Sequence, residues 1–384
     1  MNHAFRSVPR IVCEVGALQG IGQVFAALAA RRVLLVCDPG IVKLGFAAKA
    51  CAALEAAGCT VAVFDQVVAD PPAAVVEEAV SQGCAFEADG VLGLGGGSSL
   101  DAAKLVALLI NSEQRLEDLY GTDKARGQRL PLVLVPTTAG TGSEVTWVSV
   151  ITDAQQRKQA VYAAQLMPDV AVLDPELTRG LPALVTAATG LDAMVHAIEA
   201  YTSRTRKNPV SDGLATTALR LLGGNLRKVL ADGSDLAARS AMLQGSLMAG
   251  MAFVNASVAA IHGLAYPLGA RFHIPHGHAN ALVMAPMIRF NVPAARQQYA
   301  ELAAHLLPQA VFEDEASAAQ AFVEEIEALV RDSGLETRLS RLGIDEASLA
   351  AMAAEVVTGL KRLIDSNPRD MTEAEVEGIY RGIY

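Results

Sequence analysis

Four of the chain's seven histidines fall within residues 261–280, IHGLAYPLGARFHIPHGHAN. Imidazoles at that density suit a divalent cation, which needs three or four ligands converging from separate elements. The run itself contains no carboxylate. Upstream, GLDAMVHAIEAY sets Asp192 and His196 four residues apart, a spacing that puts both on one helix face with Cβ atoms about 5 to 6 Å apart. A simple i,i+4 hydrogen bond would explain the pair, but Leu191, Met194, Val195, Ala197 and Ile198 surround it. In so apolar a helix an ionised aspartate is costly unless a cation compensates it. His262 closes an apolar segment, and His276, between Pro275 and Gly277, opens a predicted helix across the YPLGARF turn. His273 and His278 lie in the same region, so spacing alone leaves any two of the four as ligands.

A second feature concerns phosphate. VLGLGGGSSLDAAK puts Gly95, Gly96 and Gly97 between a predicted strand and a predicted helix, with Ser98 or Ser99 as N-cap. Without Cβ atoms a phosphate can approach the backbone, and the helix start offers free N–H groups and a positive dipole end. The spacing departs from G-x-G-x-x-G: Gly93-x-Gly95 is followed by Ser98, and the acidic residue suited to a ribose, Asp38, precedes the glycines. A simple Rossmann domain is therefore disfavoured. A polar loop after the next strand, PTTAGTGSEVT (136–146), supports a phosphate site.

The elements that must hold these residues follow from periodicity. RVLLVCD (32–38), CTVAVFD (59–65), GVLGLGG (90–96), LPLVLVPT (130–137) and DVAVLD (169–174) read as strands, several of them nearly continuous in apolar character, as in a sheet covered on both faces. Helical patterns over 41–57, 72–88 and 98–112 separate the first four, giving a mostly parallel α/β sheet with right-handed crossovers. Beyond Gly180-Leu181-Pro182 the strand signal ends, and long helical segments follow. The 384 residues exceed what one core usually supports. We therefore expect an α/β domain over 1–180 and an all-helical domain over 181–384, joined tightly around a cleft of the kind that holds ligands.

Composition narrows the function. A net charge of −10 without a Lys/Arg cluster argues against nucleic acid or an anionic membrane as partner. No apolar run reaches the ~18 residues needed to cross a bilayer, and MNHAFRSVPR lacks a signal-peptide core. Five cysteines, all in the first quarter and never as C-x-x-C, fit neither a disulfide framework nor a thiolate metal site. A cytoplasmic protein is expected.

Taken together, GGGSSLDAAK, PTTAGTGSEVT, MPDVAVLDPELT, GLDAMVHAIEAY and HGLAYPLGARFHIPHGHANAL resemble, in order and spacing over nearly the whole chain, the iron-containing (group III) alcohol dehydrogenases, relatives in architecture of glycerol dehydrogenase and dehydroquinate synthase. The resemblance implies metal ligands Asp192, His196, His262 and His276, with His273 facing substrate. It also implies that Asp38 holds the adenosine ribose and favours NAD over NADP, and that Gly95, Gly96, Gly97, Ser98, Ser99 and Asp101 line the pyrophosphate and nicotinamide. Thr137, Thr138, Thr146, Lys158 and Leu177 match further cofactor contacts. Two positions depart from the common pattern: Tyr266 stands where many members carry a histidine, and Asp70 where an asparagine commonly precedes a proline.

The expected chemistry is reversible hydride transfer between NAD(H) and a small alcohol or aldehyde, with Fe²⁺ or Zn²⁺ as Lewis acid. Three imidazoles and a carboxylate suit both ions; the resemblance favours iron and a homodimer. Tyr266 or His273 would carry the proton. The rival expectations are an NAD-using lyase or cyclase of the dehydroquinate synthase type, and a metal- or nucleotide-binding protein without turnover.

Overall fold

The computed structural model describes residues 4–155 and 157–384. The chain divides into two compact units, Ser7–Arg179 and one built on Gly180–Tyr384.

In the first unit the elements run β1 (Arg10–Cys13), α1 (Ile21–Ala27), β2 (Arg32–Val36), α2 (Pro39–Lys43), α3 (Phe46–Ala56), β3 (Thr60–Phe64), α4 (Ala73–Ala85), β4 (Gly90–Gly95), α5 (Gly97–Leu109), β5 (Gly121–Thr122), β6 (Leu132–Pro136), β7 (Val148–Thr152), β8 (Lys158–Tyr162) and β9 (Val170–Leu173). Six strands form one parallel sheet in the order β1-β9-β6-β4-β2-β3. The chain leaves β2 toward β3, then crosses back over β2 to β4, so the winding reverses between β2 and β4. In open α/β sheets ligands bind at the carboxyl ends of the strands beside such a reversal. Every residue of β4 is buried, and two apolar clusters fill the faces, one built on α4 and α5, the other on α1 and α3.

The five expected strands are all present, each a residue or more shorter at its ends. Three features differ from the expectation. The helix over 41–57 is two helices, because Gly45 adopts φ +76° between them and closes the first turn. The sheet has a sixth strand, β1, whose RIVC is short and mostly exposed and so carries no clear period. A second sheet, β5-β8-β7, pairs β7 and β8 as an antiparallel hairpin in a region the sequence reading left without structure.

The second unit is helical: α6 (Ala183–Thr202), α7 (Pro209–Ala231), α8 (Leu236–Ala256), α9 (Ala260–Phe272), α10 (His276–Leu306), α11 (Glu315–Asp332), α12 (Ser348–Gly359), α13 (Lys361–Ser366) and α14 (Glu373–Gly382). Helix α6 packs against α7, α8 and α10, and from Thr186 onward nearly all its residues are buried. Centrality of this kind explains why its apolar character runs all round instead of forming one stripe. Among the described residues, no single helix is long and apolar enough to cross a membrane.

Candidate metal and nucleotide sites

The metal candidates meet inside the helical unit. Asp192 and His196, successive turns of α6, are both buried, as is His262 on α9. One ligand atom from each of these three lies within 4.8 Å of the others. His276, the first residue of α10, brings its Nε2 to 3.6 Å from Asp192 Oδ1 and is partly exposed. Its approach depends on Gly277, where a Cβ would stand 2.4 Å from the Ala188 carbonyl oxygen; only glycine lets the start of α10 lie directly on the backbone of α6.

Imidazole orientation is set by neighbours. The rings of His196 and His262 stack with centroids 4.8 Å apart, and Phe253 of α8 also stacks on His196, at 4.3 Å. His262 Nδ1 donates to Glu199 Oε2 at 2.6 Å, while its Nε2 is buried without a hydrogen-bond partner. A buried ring nitrogen whose lone pair meets no hydrogen-bond donor, set beside a carboxylate, is the donor chemistry a divalent ion requires, so the residues present fit one. Asn280, one turn after His276, donates from Nδ2 to Asp192 Oδ1 at 2.6 Å. Burial alone would raise the Asp192 carboxyl, but His196, His276 and His262, with the Asn280 amide, hold it below its ordinary value. Burial lowers His262, yet Glu199 and Asp192 together leave its pKa raised.

Of the other histidines, His273 is exposed and forms the left-handed C-cap of α9 at φ 55°. His278 Nε2 bonds the Glu336 carbonyl at 2.7 Å. Tyr266 sits one turn past His262 with its ring edge-on to that imidazole, centroids 6.4 Å apart, and 6.1 Å from the His276 ring.

The nucleotide candidates gather at the carboxyl ends of β2, β4 and β6, adjacent strands on either side of the winding reversal. Asp38 follows β2 and caps α2, its Oδ1 accepting from the backbone N–H of Gly40 and Ile41. Its Oδ2 accepts from Ser99 Oγ at 3.3 Å. Gly95 ends β4 at φ +149°, and a Cβ there would lie 2.7 Å from Ser99 Oγ and 3.2 Å from Asp38 Oδ2; the glycine keeps open a space rimmed by both. Helix α5 starts at Gly97 with no side-chain cap, so its first N–H groups, with Gly96, Gly97 and Ser98 around them, stay available for an anion. Thr137 and Thr138 follow β6, and Thr137 donates its N–H to the Gly95 carbonyl. A dinucleotide's ribose and pyrophosphate fit this constellation of carboxylate, open glycine turn and free helix start.

Four other expected cofactor residues make contacts within the protein. Both Asp101 oxygens are occupied, Oδ1 by Ser143 Oγ and Lys104, Oδ2 by the Val150 N–H. Thr146 Oγ1 accepts from Lys104 at 2.9 Å, and Lys158 pairs with Asp70 at 2.9 Å. Leu177 lies in the apolar cluster around α1 and α3. Sequence reasoning overlooked Lys104, Glu199 and Asn280. For Glu199 a signal existed: Asp192, His196 and Glu199 stand at i, i+4 and i+7, one stripe of polar groups in an apolar helix.

Lys104 is fully buried and also donates to Ser143 Oγ and the Val148 carbonyl, both at 2.7 Å. Burial lowers its pKa against the opposing charges of Asp101 and Glu144. Burial also pushes Glu144 up to about 7 from 4.5, against its backbone hydrogen bond and Lys104. Between those two pH values the folded protein keeps a proton that the unfolded chain releases. This contribution is complete below the unfolded value and is lost as pH rises toward 7, by on the order of 3 kcal/mol. Glu144→Gln should therefore flatten the fall in urea midpoint between pH 5 and pH 8; an unchanged slope would locate the effect elsewhere.

Residues 9–175 match the iron-containing alcohol dehydrogenase family, and residues 186–384 match the Fe-containing alcohol dehydrogenase family, C-terminal. The chain belongs to the iron-containing alcohol dehydrogenase family. It is similar to long-chain-alcohol dehydrogenase 1 of Geobacillus thermodenitrificans (strain NG80-2), with 40% identity covering 96% of this chain and 93% of that one. It is also similar to the NAD-dependent methanol dehydrogenase of Bacillus methanolicus, with 32% identity and 97% of each chain covered. Among solved structures, a 1,3-propanediol oxidoreductase superposes over 100% of both chains with a TM-score of 0.96 and 34% identity. This family member is an oxidoreductase of alcohols and aldehydes that uses NAD and a divalent metal.

Proposed function

We propose that Asp192, His196, His262 and His276 hold Fe²⁺ and that the substrate is a small uncharged primary alcohol or its aldehyde. The observation that carries this reading is the unpartnered, buried Nε2 of His262 beside the Asp192 carboxylate. When bound, the ion supplies Lewis acidity toward the substrate oxygen and NAD supplies the hydride acceptor. The uncharged side chains Phe253, Tyr266 and Asn280 beside the cluster are aromatic or amide in character, which favours an uncharged substrate over an anionic one.

Tyr266 takes the place of the family's common histidine, and its hydroxyl is our candidate for the proton-carrying group; His273, exposed at the end of α9, is the second. Asp38, with its carboxylate fixed by the α2 cap and Ser99, repels a 2′-phosphate and favours NAD. Gly95, Gly96, Gly97, Ser98, Ser99, Thr137 and Thr138 bind the rest of the dinucleotide. We further assign the protein to the cytoplasm, in keeping with its five free cysteines, and infer a homodimer, which light scattering would check.

Following NADH absorbance tests the reading. Protein reconstituted anaerobically with Fe²⁺ or Zn²⁺ is offered primary alcohols, diols and anionic hydroxy compounds with NAD or NADP. Turnover of neutral alcohols with NAD, highest with Fe²⁺, is expected. Preference for an anionic substrate, for NADP, or full activity with zinc alone would overturn the corresponding assignment.

A further inference from the structure

Glu199 lies one turn beyond His196 on α6, is 2% exposed, and is not in the ligand set. Its carboxylate is nonetheless fully used. Oε2 accepts from the Ala259 backbone N–H at 2.8 Å and from His262 Nδ1 at 2.6 Å, and Oε1 accepts from the Ile261 N–H at 2.6 Å.

Those partners share one property: all belong to the segment that delivers His262 to the cluster. Helices α8 and α9 meet at a bend of 105°. At the bend Ser257 adopts φ 154° and ψ 156°, a backbone region that is nearly restricted to glycine and persists only where surrounding contacts enforce it. Helix α9 has no side-chain cap of its own, so its first N–H groups need an acceptor from elsewhere. Glu199 provides it and, through the same oxygen, fixes the His262 ring. An ionised carboxylate can only accept, so Nδ1 must carry the proton, and Nε2 is left as the lone-pair nitrogen facing Asp192 and His196.

We propose that Glu199 is a positioning residue for the metal centre: one carboxylate both caps α9 at its strained entry and selects the His262 tautomer able to ligate through Nε2. It touches neither substrate nor ion. Substitution by glutamine keeps the shape but conflicts with the three donors, since one amide end is itself a donor. If that end faces His262, the ring must accept at Nδ1 and protonate at Nε2, the atom needed for the ion. Outer groups that orient a ligating histidine change metal affinity by about 10–100-fold.

This inference rests on the metal-centre reading, and Co²⁺ titration followed by visible absorbance separates the two. For Glu199→Gln we expect a Co²⁺ dissociation constant raised 10–100-fold and a changed visible band. The metal-free variant should keep a wild-type circular dichroism spectrum, and excess metal should recover much of its turnover. A variant with wild-type affinity and spectrum would overturn the role of Glu199 while leaving the metal centre standing. A wild-type protein that binds no Co²⁺ would sink the centre and this inference with it. Should the variant not fold, ¹⁵N-histidine correlation spectra of the zinc-loaded wild-type protein decide: a proton on His262 Nδ1 supports the proposal, and a proton on Nε2 refutes it.

Discussion

Asp192→Asn lowers kcat/KM with NAD and a preferred alcohol by about 10³-fold or more, equivalent to roughly 4 kcal/mol, and leaves the purified protein depleted in metal. Asp192 is the only carboxylate in the candidate ligand set, is buried, and stands among three imidazoles that hold its pKa down. Its negative charge offsets the cation's where water is excluded, and its two oxygens let it accept the Asn280 amide at 2.6 Å while still presenting an oxygen to the ion, which an amide with one oxygen cannot do together. The asparagine variant can place an –NH₂ against the Asn280 donor or against the ion, and both arrangements oppose ligation. Metal analysis by mass spectrometry, run beside steady-state NADH formation and circular dichroism, reads the effect. Near-stoichiometric metal with turnover within a few-fold of wild type would remove Asp192 from the centre.

The second large effect concerns stability of the nucleotide unit. Lys104→Met, close in volume, is expected to cost about 3–5 kcal/mol, the usual consequence of deleting one partner from a buried charged network. Asp101 loses its cation, and Ser143 Oγ, Thr146 Oγ1 and the Val148 carbonyl lose their common donor. The ammonium ties α5, whose first turn follows the glycines, to the loop at 143–146 and to β7, so the same change loosens the nucleotide site. A fall in the melting temperature of roughly 6–20 °C should accompany the loss, with weaker NAD binding by fluorescence titration. A variant with unaltered melting and unaltered NAD affinity would mean that the network carries neither load.

Sequence by itself determined a good deal of this. Residues that alternate or run continuously apolar announce five strands; in the four central ones, β2, β4, β6 and β9, burial on both sheet faces leaves almost no polar position. The Gly95–Gly97 turn was readable because a missing Cβ between strand and helix has few other uses, and Asp192 with His196 because two polar residues one turn apart in an apolar helix demand compensation. Local periodicity carried no information on what lies across the fold. Which two of four clustered histidines approach Asp192 depended on Gly277 seating α10 against α6, and on the bend before α9. The engagement of Asp101 and Thr146 by Lys104, and the placement of Leu177 in the core, arise from contacts dozens of residues distant in sequence. So does the union of Glu199 with His262, 63 positions apart. Spacing within an element follows from helix and strand geometry and is written in the chain; the pairing of elements follows from how their faces pack, and only the assembled tertiary structure decides it.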